Sequence, residues 1–278
     1  MTQDLKTLSV IASEETPDRH VSMSNRLARS AQGLNLAEKR LVALGLAGTD
    51  SVALKGLSQA VNGGWKMRIS AMEYADTFAV SPTTAYEQLK AAAEKLFERY
   101  VRYEVKGRRG KLEEKKFRWV SGANYAPGDG YVELNFSPEI APHLLGLRKQ
   151  FTTYKLQHAA AFDSVYAWRL FEVLKSWQST GFYKTTIEEF WEQMEVPPSC
   201  KKDFKALRTR VLIPAISSIE AKTSLLIEWT PVRSGSRRVT GLEFRFAPDP
   251  QGRLDIQGEL EEIPDLGDHS DNELMASD

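Results

Sequence analysis

The chain has 278 residues, 42% hydrophobic and 10% aromatic, which suits one large core or two smaller ones. Its 37 basic and 37 acidic residues cancel, yet ten acids and only Arg253 among the cations fall between Asp249 and Asp278, so the remainder holds 36 basic and 27 acidic residues, a net of +9. A single cysteine (Cys200) excludes an intrachain disulfide, and with four scattered histidines it argues against a structural zinc site. No apolar run reaches membrane-spanning length, and the N-terminus lacks the basic-then-apolar order of a signal peptide. The expected setting is the cytoplasm, with no membrane partner and no cofactor.

Residues 1–20 are polar and mixed and are expected to be flexible. Asn35 with Glu38 three places on predicts a capped helix, whose face of Leu36, Leu41 and Leu44 runs to Gly48. Val61-Asn-Gly-Gly64 reads as a loop and Lys66-Met-Arg-Ile69 as a short strand. Ser70 with Glu73 opens a second capped helix, which ends at Val80-Ser-Pro82. Pro82 then sits in the first turn of a long helix, where its missing N–H costs nothing. That helix turns Tyr86, Leu89, Ala93, Leu96, Phe97 and Tyr100 to one side, and Thr84, Glu87, Gln88, Ala91, Lys95 and Glu98 outward. Arg99 to Val105 and Lys115 to Val120 read as strands around a Gly107-Arg-Arg-Gly110 tip. Tyr131 to Phe136 alternates as a strand, and Ser137-Pro138 starts a short helix toward Leu147. An extended stretch over Phe151 to Leu156, a helix over His158 to Trp177 and a stop at Gly181 follow.

A second unit then repeats the first at an offset of 116 positions, from Ser70 to Thr186. Thr186-Ile-Glu-Glu189 is a capping box, Val196-Pro-Pro198 a turn, about Lys201 to Lys222 a long helix, and Leu225–Val232 and Gly241–Phe246 strands around a Ser234-Gly-Ser-Arg-Arg238 tip. Helix, turn, helix and basic hairpin in that order is the plan of a winged helix. The predicted fold class is α+β: two tandem winged-helix domains in a pseudo-two-fold relation, at 21–150 and 151–247 with a boundary near 148–152, and an acidic tail at 248–278. The tail is poor in large apolar side chains, so it is expected to be disordered, serving solubility, DNA mimicry or partner docking.

Face arithmetic on the second long helix puts Phe204, Leu207, Val211, Ala215 and Ile219 on the core side. Lys202, Lys205, Ala206, Thr209 and Arg210 face outward, with charge for phosphate or guanine and small groups for a thymine methyl. Arg208 falls nearer the core side and ranks below Arg210. Pro214 is expected to kink the helix and leave its N-terminal half as the reader. In the first unit the outer helix face holds glutamates, so its contribution is expected from the hairpin: Arg102, Lys106, Arg108, Arg109 and Lys111, with Lys115, Lys116 and Arg118 behind them. A basic surface helix is usually only solvated; two of them, each set between a capped helix and a basic hairpin, point to duplex DNA.

Three stretches carry a family resemblance: Phe204-Lys-Ala-Leu-Arg-Thr-Arg210-Val-Leu-Ile-Pro214, Ser164-Val-Tyr-Ala-Trp-Arg-Leu170, and Asn25-Arg-Leu27 followed by Leu36-Ala-Glu-Lys-Arg40. They resemble the iteron-binding plasmid replication initiators over roughly 21–247. That resemblance implies binding of directly repeated origin sequences as a monomer, with bases read by the C-terminal winged helix. It implies Lys202, Lys205, Thr209 and Arg210 as reading residues and Arg233, Arg237 and Arg238 as wing contacts. It further implies a monomer–dimer equilibrium, autorepression by the dimer, and recruitment of a host replication initiator and the replicative helicase. Ser218 stands where relatives often carry an acid.

Catalysis is not expected. There is no pair of histidines one residue apart for rolling-circle nicking, and no Walker loop, since Gly107-Arg-Arg-Gly-Lys111 has the wrong spacing. A two-headed transcriptional regulator and a DNA-bridging partition protein remain open beside the initiator.

Overall fold

The computed structural model describes residues 19–47, 64–107, 110–144, 151–233, 235 and 238–249. The expected flexible N-terminal segment (all but its last two residues), the acidic tail beyond Asp249, Arg108, Arg109 and Arg237 lie outside the described residues.

Strand β1 (His20–Ser24) leads into a short helix α1 (Asn25–Arg29) and then α2 (Leu36–Ala47). The expected box at the head of α2 is complete: Asn35 Oδ1 accepts from the Glu38 N–H at 2.9 Å, and Glu38 Oε2 accepts from the Asn35 N–H at 2.9 Å. Strand β2 (Trp65–Ser70) runs into α3 (Ala71–Phe78), where Ser70 accepts from the Glu73 N–H at 3.0 Å. Glu73 does not return the bond; its carboxylate meets Arg19 at 2.5 Å. Ala79 then turns through the left-handed region (φ 50°) into α4 (Pro82–Phe97).

In the second unit β8 (Phe182–Thr186) leads into α8 (Ile187–Gln193), whose Thr186–Glu189 box is reciprocal. Glu195, 116 positions after Ala79, takes the same left-handed φ of 50°. Both units therefore turn on the same backbone device as well as the same cap.

The sheets repeat as well. In the first unit β5 (Val120–Ala126) and β6 (Tyr131–Phe136) form a hairpin whose second strand pairs with β2, order β2-β6-β5. In the second, β9 (Leu225–Arg233) and β10 (Val239–Pro248) do the same with β8, order β8-β10-β9. This match corrects the expected wing of the first unit. The basic hairpin, β3 (Tyr100–Lys106) with β4 (Leu112–Arg118), is a separate two-stranded ribbon inserted between α4 and β5. The true wing, β5–β6, closes on Pro127-Gly-Asp-Gly130 and contains no Lys or Arg from Val120 to Phe136.

Two expected long helices are broken by caps. The one over His158–Trp177 is α6 (Leu156–Ala160) and α7 (Val165–Lys175), because Ser164 accepts from the Tyr166 N–H at 3.2 Å and starts a new helix. The one from Lys201 begins as a short turn, α9 (Pro198–Lys201), and restarts at Asp203, whose carboxylate accepts from the Lys205 N–H (2.9 Å) and Ala206 N–H (3.3 Å). It continues as α10 (Phe204–Leu207), a π-helical turn (Arg208–Leu212) and α11 (Ile213–Lys222). The short helix after Pro138 is α5 (Ala141–Leu144); its expected extension to Leu147 lies outside the described residues.

The N-terminal strand spans the midpoint of the chain: β1 pairs antiparallel with β7 (Phe151–Lys155). Helix α7 lies against both units and buries Trp168, Leu170 and Leu174 completely, together with the charged Arg169 and Glu172. These charges persist because each is matched. Arg169 donates to the Ala28, Ser30 and Gln193 carbonyls, joining the N-terminal segment to the end of α8. Glu172 accepts from Lys39 Nζ and from the Tyr154 hydroxyl, both at 2.6 Å. Burial pushes the Lys39 amine down to about 8 against the pull of Glu172, and burial pushes the Tyr154 phenol well up. From the turn of the second unit, Glu195 accepts from the Gly33 N–H at 2.8 Å and the Gln32 N–H at 3.2 Å. The heads are thus joined by buried polar bonds as well as by a shared apolar core.

Candidate nucleic-acid interface

The second helix of the C-terminal unit is held to the core by Leu207, Val211, Ala215 and Ile219, all buried as expected, and also by Leu212 and Ile216. Lys202, Lys205, Thr209 and Arg210 are exposed together. Lys202 sits in the break just before the helix rather than on it. Ala206 departs from expectation: it is half-buried against the core rather than fully exposed. The Thr209 hydroxyl donates back to the Lys205 carbonyl at 2.9 Å, so its proton is engaged, and the oxygen as acceptor and the methyl group are left for a partner.

Arg208 is the clearest miss. At about 100° per residue it lies about 40° from the centre of the buried arc, inside the core side. In the structure it is exposed, with its guanidinium 6.0 Å from the ring centre of Trp229 on β9. Pro214 explains the difference. It has no N–H to give to the carbonyl four residues back, and its ring crowds that carbonyl. The chain responds with an i→i+5 bond, Ile213 N–H to the Arg208 carbonyl. One extra residue enters the turn, and the phase of everything upstream is displaced. Pro214 was the available signal, though it reads in sequence as a kink rather than as a widened turn.

Arg233 ends β9 and Arg238 precedes β10; both are exposed at the wing, across the Arg233–Val239 pair. Gly235, between the two strands, has φ 55°, in the left-handed region that favours glycine.

In the first unit the outer helix face is as expected: Thr84, Glu87, Gln88, Ala91, Lys95 and Glu98 are exposed. With a wing free of cations beside it, this head offers a duplex little positive charge. The positive charge sits on the inserted ribbon, where Arg102, Lys106, Lys111, Lys115 and Lys116 are exposed. Arg102 and Lys116 face each other across the strands, next to an opposed Glu104–Glu114 pair. The ribbon is moored by the Arg102 N–H to the Ala31 carbonyl at 3.1 Å, and by Tyr103 and Phe117 packed on His143. His143 bonds Ser24 Oγ at 2.8 Å through Nδ1. Its burial, with Arg26 nearby, holds the imidazole below its usual pKa.

The cations thus divide into two groups, the second helix with its wing in the C-terminal head and a ribbon beside the N-terminal one. Against known families, residues 20–175 match the description "Initiator Replication protein, WH1" and residues 186–246 match "Initiator Rep protein, WH2". The chain is 24% identical to the PI protein of Escherichia coli over 268 residues, 85% of this chain and 84% of that one. It is 28% identical to an uncharacterized 27.6 kDa protein of the same organism, over 77% of this chain and 90% of that one. A probable replication protein of Bifidobacterium longum (strain NCC 2705) is 27% identical over 131 residues, 47% of this chain and 43% of that one. Among solved structures, the Pi initiator protein in complex with iteron DNA superposes with a TM-score of 0.68 at 22% identity, covering 85% of this chain and all of that one, and shows the same fold.

Proposed function

The chain belongs to the plasmid replication initiator family and carries both its WH1 and WH2 winged-helix domains, and from that premise we propose that it binds directly repeated origin sequences (iterons) as a monomer. The observation that carries the reading is the exposed cationic face of the C-terminal helix, Lys205, Thr209 and Arg210 with Lys202 at its entry, set beside a wing bearing Arg233 and Arg238. Side chains of this kind on a helix that enters the major groove read base edges, and wing arginines hold phosphates. The ribbon cations Arg102, Lys106 and Lys111, together with Arg108 and Arg109, add phosphate grip beside the first head.

The protein then acts by binding rather than by chemistry of its own. It strains and opens the origin, engages a host replication initiator and the replicative helicase, and as a dimer represses its own gene. The bonds from Arg169 and Glu195 support the binding step, because two heads tied together meet successive grooves of one site without separate ordering costs. Footprinting of monomeric protein on the origin beside its own gene tests this. Periodic protection over tandem direct repeats, and replication of a minimal plasmid with only this gene and its flank, are expected. Protection of a lone inverted repeat without plasmid maintenance would make it a regulator instead.

A further inference from the structure

The exposed arginine on the Trp229 ring stands apart from the other cations of the reading head. Among the described residues no aromatic ring supports Lys202, Lys205 or Arg210, all exposed, whereas the Arg208 guanidinium lies over an indole that belongs to the wing strand. Trp229 is half-buried and packed against the core, so it is a fixed shelf. Among the described residues no carboxylate pairs with Arg208. The guanidinium carbon stands 6.0 Å from the ring centre, and among the described residues no side-chain hydrogen bond or ion pair engages its N–H groups.

We infer that Arg208 is a specificity-determining residue of this head, that it reads one guanine through its free edge, and that Trp229 is its positioning residue. The inference rests on the DNA-binding reading above and adds a base contact to it. A guanidinium is a planar fork that matches the O6 and N7 acceptors of guanine in a bidentate pair. Such a pair is sensitive to plane and direction, and an aromatic ring beside the guanidinium biases both before DNA arrives. The π-turn supplies the other half of the device. Without its extra residue Arg208 would point into the core; with it, Arg208, Thr209 and Arg210 are exposed in succession. The helix thereby presents one more cation to the groove than its length in regular geometry would allow.

The test is a binding profile of the full chain on the repeat, on every single base-pair variant of it and on a random duplex, by fluorescence anisotropy. Arg208→Lys keeps the charge and loses the fork. It should cut discrimination at one G·C pair by roughly ten- to a hundred-fold, at a position different from that affected by Arg210→Ala, and leave random-duplex affinity unchanged. Trp229→Leu should flatten the same position by several-fold, and Trp229→Phe should restore most of it; melting temperature reports whether each variant is folded. An unchanged Arg208→Lys profile, or an equal loss on every duplex, overturns the inference while the functional reading stands. A wild-type protein that binds the repeat no better than random DNA overturns both.

Discussion

Glu195 provides a direct measure of how firmly the two heads are joined. Its carboxylate accepts from the Gln32 and Gly33 N–H groups, and its backbone sits at φ 50°. A hydrogen bond to a charged group contributes about 1.5–3 kcal/mol; Glu195 is half-buried, so water compensates part of each. Two such bonds give an expected loss of about 2–3 kcal/mol for Glu195→Ala. Glu195→Gln keeps one carbonyl acceptor and should lose about 1 kcal/mol. Glu195→Gly loses the same bonds as alanine, but it removes a left-handed penalty of about 1–2 kcal/mol against an entropic cost of about 0.5–1 kcal/mol. The expected order of stability is therefore wild type, Gln, Gly, Ala. Ala79→Gly, at the matching turn of the first head, has no carboxylate to lose and should gain about 0.5–1 kcal/mol. Urea unfolding followed by tryptophan fluorescence gives these differences, and a split of the single transition in the Ala variant would show the heads uncoupling. If Glu195→Gly equals or exceeds wild type, the carboxylate does not latch the heads and the argument fails.

Three further outcomes are expected. With roughly six to eight phosphates neutralised, the logarithm of the binding constant should fall against the logarithm of salt with a slope of about −5 to −7, and Arg102→Gln with Lys116→Gln should make it shallower by about 2; competition anisotropy across a salt series measures both. Arg210→Ala should weaken binding to the repeat by about 1–3 kcal/mol and relax one base position; a uniform loss on all duplexes would make Arg210 a phosphate contact. Lys39, held at about 8 by burial, carries fewer protons folded than unfolded between pH 8 and about 10, so stability from this group rises with pH there. Above that window the raised phenols of Tyr154 and Tyr183 reverse the trend, because the unfolded chain loses those protons first. The rise should vanish in Lys39→Met, measured by urea midpoints at pH 7.5 and 9.5.

Where a signal was local, the sequence was legible. The caps at Asn35, Ser70 and Thr186 and the Pro82 helix start all appear where side-chain chemistry demands them. So does the exposed set Lys205, Thr209 and Arg210, which stays outside the buried arc even though the widened turn shifts the helix phase. Misreadings arose where a local signal competed with a stronger one or with pairing at a distance. Ser164 divides a helix that composition joins. The density of Lys and Arg in β3–β4 drew the wing to the wrong hairpin, although Pro127-Gly-Asp-Gly130 is itself a turn signal between two strands. Only the pairing of β6 with β2 settles which hairpin is the wing, and that contact joins residues far apart in the chain. Nothing local in the sequence singles out Lys39, Glu172 and Arg169 as a buried charge cluster; their burial depends on three segments meeting.

The same plan, used twice, has produced two unlike faces, and the differences fall at definable points. In the second head Pro214 widens the reading helix, and the wing ends on arginines. In the first, the helix faces outward with Glu87, Glu94 and Glu98, the wing has no cation, and the positive charge has moved to an inserted ribbon. On the proposed reading, a duplex lying along both heads would meet base contacts at one and a phosphate-gripping arm at the other. Rotating one head against the other would break the Arg169 and Glu195 bonds described above, so the joint and the faces are one design. If the heads read DNA independently, cutting the Glu195 latch would leave the footprint on the ribbon side intact. If the joint sets the register between them, Glu195→Ala should keep protection under the C-terminal helix and lose it under the ribbon.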